Sequence, residues 1–116
     1  MRNTDQAICG LLKQDDELVF CVSRTLKGAE LNYSTIEQEM LAIKYTLGKL
    51  RKFLLGRQFK LYTDHEPLLG VIRARDHANK RLMRYKTDVA EFALEDRIYH
   101  VKMFLMFFFF ATPLLY

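Results

Sequence analysis

Two carboxylates in this chain stand where their type and spacing could do chemistry. Asp64 closes a strand-like run, Phe59 to Thr63, within the stretch KLYTDHEPLLGV. Pro67 follows, and its fixed φ suits the first turn of a helix. Glu39 lies on a helical stretch, about 60° from the centre of the apolar stripe at 100° per residue. Each has an ordinary reading. An Asp at a strand-to-helix junction caps the helix, and a Glu at the edge of a buried stripe turns outward or pairs with a nearby Lys or Arg. Together they have a second reading. A carboxylate in the first turns of a helix and another at the end of a strand beneath it could share a hard cation, because Mg²⁺ takes one or two carboxylates plus water and phosphate oxygens. Spacing alone leaves both open. His65, next to Asp64, either orients a phosphate or a metal-bound water, or is simply polar at a helix start.

The elements that must position these residues are legible around them. Ser34 and Glu37 form a capping box, in which each side chain accepts an otherwise orphan backbone N–H. Behind it Ile36, Met40, Ile43, Leu47, Leu50 and Leu54 recur at helical spacing, and Gly56 follows the last of them. The same wheel turns Glu37 and Gln38 away from the stripe, as helix-surface residues. Upstream, residues 6–12 and 18–23 flank the turn residues QDDE and predict a hairpin. Downstream, the pattern predicts a strand over 59–63, a short helix from about Pro67, a second helix over 79–92 and a strand within 94–102. Strands, helix, strand, helices and strand make a mixed α/β layout.

With 116 residues the chain fits one domain, and its 28 % charged content is that of a folded protein. A formal charge of +4 favours an anionic partner without requiring one. Cys9 and Cys21 match no metal spacing. The start lacks an apolar signal core, so free thiols in a reducing cytoplasmic or nuclear compartment are expected. The tail 103–116, MFLMFFFFATPLLY, is apolar almost throughout but shorter than the roughly 20 residues of a membrane span. Without a polar partner it either folds onto the sheet or exposes an apolar patch.

The motifs NYSTIEQEM and YTDHEPL, with SRTL before them, resemble the ribonuclease H domain of gypsy-type LTR retrotransposon polyproteins. The resemblance runs from about Ala7 to Val101. It implies a ribonuclease H-like mixed sheet with packed helices over 1–102, the tail lying outside the family pattern. It also implies Mg²⁺- or Mn²⁺-dependent cutting of the RNA strand of RNA–DNA hybrids at a two-ion site, in a polyprotein that carries reverse transcriptase and integrase. Carried over residue by residue, the family's helix carboxylate falls on Glu39 and its strand-end carboxylate on Asp64, as catalytic and metal-binding residues.

The departures from the pattern bear on activity. The family's first strand opens with an Asp, and Arg2 holds that position; Asp5, three residues on, points to the opposite face of a strand. The family's C-terminal Asp-bearing helix is replaced by the apolar tail. Of four expected carboxylates, Glu39 and Asp64 remain. The two function classes are therefore a hybrid-cutting nuclease and a catalytically dead, nucleic-acid-binding relic or domesticated fragment. A third class, a structural or membrane-attached protein, rests on the tail alone. Arg73, Arg75, Lys80, Arg81, Arg84 and Lys86 follow the TDH element, in the region that approaches nucleic acid in the family. They form either a phosphate-contacting patch or a solvated helix face.

Overall fold

The computed structural model describes residues 6–14, 17–75, 77–100 and 114–115. Strands β1 (Ala7–Gln14) and β2 (Glu17–Thr25) pair as an antiparallel hairpin. Both run past the ends of the predicted segments, because the hairpin pairing continues to Gln14↔Glu17 at the turn and to Ala7↔Thr25 at the open end. A 3₁₀ turn over Gly28–Asn32 leads to helix α1 (Thr35–Lys49), then α2 (Arg51–Leu54), β3 (Leu61–Thr63), α3 (Pro67–Arg73), α4 (Lys80–Asp88), β4 (Ile98–His100) and β5 (Leu114–Leu115).

The sheet order is β2-β1-β5-β3-β4. β5 runs parallel to β1 and antiparallel to β3, while β3 and β4 are parallel. The last residues of the tail thus enter the middle of the sheet, outside the domain boundary expected at 102. Arg2, Asp5 and residues 103–113 lie outside the described residues. Among those described, no helix is long and apolar enough to cross a membrane.

One face of the sheet is packed. Ile8, Gly10 and Leu12 of β1 and Leu61 and Thr63 of β3 alternate inward, and α1 lies over β1 with α3 and α4 alongside it. The stripe residues Met40, Ile43, Leu47, Leu50 and Leu54 are all buried, with Ile36 at the margin. Sequence placed them on one helix, but the chain breaks at Leu50, which has φ −102° and ψ 14°. Gly48, a weak helix former, precedes the break. Gly56 has φ 80° and ends the segment as expected.

Three predicted elements are shorter than their patterns, and the first is β3, which begins at Leu61 rather than Phe59. The second helix stops at Asp88, and Phe92 is buried from a separate 3₁₀ turn over Ala90–Phe92. The strand expected within 94–102 begins only at Ile98, because Leu94–Asp96 is another 3₁₀ turn, entered through a left-handed Ala93 at φ 50°. Cys9 and Cys21 are not in a disulfide.

Gly10 sets how closely α1 can approach the sheet. A Cβ added there would fall inside the contact distance of the Thr46 side chain, whose own Cβ would be 2.8 Å away. Gly10→Ala should therefore cost about 1–3 kcal/mol by overpacking. Urea denaturation measures the loss, and adding Thr46→Ala should return part of it. An unchanged midpoint would mean that α1 slides freely over β1.

Candidate functional site

The capping box forms as read from sequence. Ser34 N–H donates to Glu37 Oε1 at 3.0 Å, and Glu37 N–H donates to Ser34 Oγ at 3.3 Å. This fixes the first turn of α1 and with it the direction of Glu39. That residue is 4 % exposed, and its Oε1 is buried with no hydrogen-bond partner among the described residues. It does not turn outward, and among the described residues it pairs with no cation. Burial, and then the nearby charge of Asp64, push the Glu39 carboxyl up to about 9.

Asp64 follows β3 directly and is half-buried. It does not cap α3, because that helix starts from Glu66, with Pro67 in its first turn and no side-chain capping bond. Pro67 moves the helix start two residues beyond Asp64. The His65 N–H donates to Thr63 Oγ1 at 3.2 Å, which turns the chain at the strand end. Burial lowers the His65 pKa, and Asp64 offsets part of that.

A buried carboxylate whose ionisation is opposed first by burial and then by the charge of a second carboxylate is the environment that a bound cation would relieve. The residues present fit one hard cation in that respect. Among the described residues there is no group of three or more His, Cys, Asp or Glu able to hold a metal.

The cations of the 73–86 stretch divide into two groups. Arg73 Nη2 donates to the carbonyl of Ile98 at 3.1 Å, and Lys86 Nζ donates to the carbonyl of Ala74. Arg81 Nη1 lies 3.3 Å from Glu37 Oε2, and its guanidinium sits 4.0 Å from the Tyr33 ring centre. Arg84 lies over the Tyr85 ring at 5.3 Å. Arg75, Lys80 and Arg84 are exposed. Part of the patch thus holds α3, α4 and β4 together, and part faces solvent.

Glu37 and Gln38 correct the helix-wheel reading. They are 9 % and 6 % exposed rather than on the surface. Gln38 Nε2 donates to the carbonyl of Glu30 at 3.0 Å, while Glu37 faces α4. The α1 wheel alone carries no signal for this, since it says nothing of the neighbours on the helix's flanks. Asn79, the cap of α4, was likewise missed as a partner.

A groove of about 690 Å³, lined by Leu12, Phe20, Phe53, Leu54 and Phe59 among others, includes neither Glu39 nor Asp64. A site for a polymer backbone needs an open surface rather than a deep cavity, so the two places are not in conflict.

Strands in one mixed sheet, helices against one face, and an acidic pair at a strand end define a small mixed α/β domain. The family model of the RNase H-like domain found in reverse transcriptase matches residues 2–92, and the chain belongs to that family. It is 41 % identical over 88 residues to the retrovirus-related Pol polyprotein from transposon gypsy of Drosophila melanogaster, covering 72 % of this chain and 8 % of that protein. It is 42 % identical over 94 residues to the corresponding polyprotein from transposon opus, covering 77 % and 9 %. For transposon 297 the figures are 38 % over 86 residues, 74 % and 8 %; both are also from Drosophila melanogaster. The chain therefore spans less than a tenth of the length of these relatives. No solved structure matches it significantly.

Proposed function

We propose that this chain is the hybrid-binding part of a retrotransposon polyprotein, with Glu39 and Asp64 as the remaining half of an Mg²⁺ or Mn²⁺ site and RNA-strand cleavage slow or absent. The observation that carries the reading is the orphaned Glu39 carboxylate beside Asp64, within the segment that matches the family. When bound, a divalent ion would neutralise phosphate charge and activate water. Glu39 would have to lose its proton to hold that ion, while Asp64, at the mouth of the pair, would face the phosphate. Arg75, Lys80 and Arg84 would meet the sugar–phosphate backbone without reading sequence. His65 remains an auxiliary candidate beside Asp64.

Arg2 where the family's first strand carries an Asp, and the apolar tail where the family carries an Asp-bearing helix, support the non-catalytic alternative over a full nuclease. A two-ion mechanism places its ions about 4 Å apart on one phosphate. Each lost increment of about 1.4 kcal/mol in transition-state stabilisation costs tenfold in rate.

One gel tests this. Labelled RNA–DNA hybrid incubated with the chain should be retained at low salt, released as salt rises, and left uncut with Mg²⁺. Arg2→Asp should raise EDTA-sensitive cutting. Robust EDTA-sensitive cleavage by the unaltered chain would show that two carboxylates suffice, and the dead-relic alternative would fall.

A further inference from the structure

The first two turns of α1 carry two carboxylates that face different neighbours. Glu39 is directed to the Asp64 end of β3, and Glu37 to the N-terminus of α4. Glu37 Oε1 accepts from the Ser34 backbone, and Oε2 accepts from Asn79 Nδ2 at 2.9 Å and from Arg81 Nη1 at 3.3 Å. Asn79 is itself the cap of α4, its Oδ1 accepting from the Leu82 N–H at 3.0 Å. One buried carboxylate therefore joins the caps of both helices. Hydrogen bonds from Asn79 and from the Ser34 backbone hold its pKa below the ordinary carboxylate range. Further along, Lys44 Nζ lies 3.2 Å from Asp88 Oδ2, so α1 and α4 run side by side in the same direction.

We infer that Glu37 is a positioning residue for nucleic acid: by tying the cap of α4 to the first turn of α1, it fixes Lys80, Arg81 and Arg84 relative to Glu39 and Asp64. A duplex whose phosphates lie on α4 then meets the acidic pair in one register. The inference rests on the functional reading above, which supplies the duplex. It differs from plain electrostatics in sign. Removing a carboxylate from beside a cationic stretch should strengthen phosphate attraction in general. Loss of positioning weakens binding of the rigid duplex and leaves a flexible single strand nearly unaffected.

The experiment compares affinities of the full chain for RNA–DNA hybrid and for single-stranded RNA of the same length, by fluorescence anisotropy. Glu37→Ala should bind hybrid about tenfold more weakly, the scale expected for lost hydrogen bonds to a charged group. Its affinity for the single strand should stay near the parent's. Glu37→Gln keeps the shape and one acceptor, and should recover most of the hybrid affinity. Asn79→Ser covers the case in which Glu37→Ala does not fold. Serine still caps α4, but its shorter side chain does not span the distance to Glu37, and hybrid binding should weaken in the same direction. A parent chain with no salt-dependent hybrid binding overturns the functional reading and this inference with it. Binding by the parent that the folded variants leave unchanged or tighten overturns the inference alone.

Discussion

Glu39→Gln is expected to make the metal-free chain more stable at pH 8, by roughly 3–5 kcal/mol relative to the parent. The Glu39 carboxyl sits at about 9 in the fold against an ordinary 4.5, so the folded state holds the proton more tightly. Its contribution is complete below about pH 4.5 and is lost as pH rises toward 9. Across that window the parent should lose about 1.4 kcal/mol per pH unit through this group. The glutamine variant has no such slope. Urea denaturation from pH 5 to pH 9 in EDTA measures the difference. Saturating Mg²⁺ should restore the parent at pH 8 and leave the variant unmoved. Equal stabilities across the range would mean that Glu39 is hydrated, and the candidate metal site would lose its main support.

The second large effect is expected at the C-terminal end. Leu114 and Leu115 pair with Leu11 and Leu12 of β1 on one side and with Leu61 and Tyr62 of β3 on the other. Truncation after Pro113 should therefore destabilise the fold rather than improve solubility, although an apolar tail suggests the reverse when only composition is considered. Each ladder hydrogen bond lost is worth about 1 kcal/mol, so a cost of about 2–4 kcal/mol is expected. Leu115→Pro, which removes a backbone donor, should reproduce much of that cost while keeping the chain length. Thermal melting of the three proteins is the measurement. A truncated chain that melts like the parent would show that β5 contributes nothing to the sheet.

These two sites were legible in the sequence to different degrees. Asp64 stood out because a strand pattern, a carboxylate and a helix-starting proline are adjacent in the chain. Glu39 stood out because it interrupts the margin of an apolar stripe. Both signals are local, and so is the capping box of Ser34 and Glu37. The burial of Glu37 and Gln38 was not legible, because it depends on α4 and the Gly28–Asn32 turn packing against the flanks of α1. The separation of α2 from α1 was hidden for a related reason: Leu50 and Leu54 keep the stripe's spacing across a backbone break. β5 is two residues long, below the length at which alternation exists, and its pairing comes entirely from partners distant in sequence. The resemblance to a family singled out the same two carboxylates, but carried no sign that Arg73, Arg81 and Lys86 each hold a neighbouring element.

The place of β5 also governs how the chain reaches its fold. The β1–β2 hairpin and α1 form from residues close in sequence, on the microsecond scale of local structure. The middle of the sheet cannot close until Leu114 meets Leu11, a contact spanning nearly the whole chain. Such closure carries a large entropic cost before it returns any pairing, and it slows folding. Until then β1 and β3 are separate halves, each with an open edge and an apolar inward face, Ile8 and Leu12 on one and Leu61 on the other. An intermediate of that form is prone to recruit a strand from another molecule in place of its own. Refolding yield should therefore fall with protein concentration, even if the finished domain is monomeric.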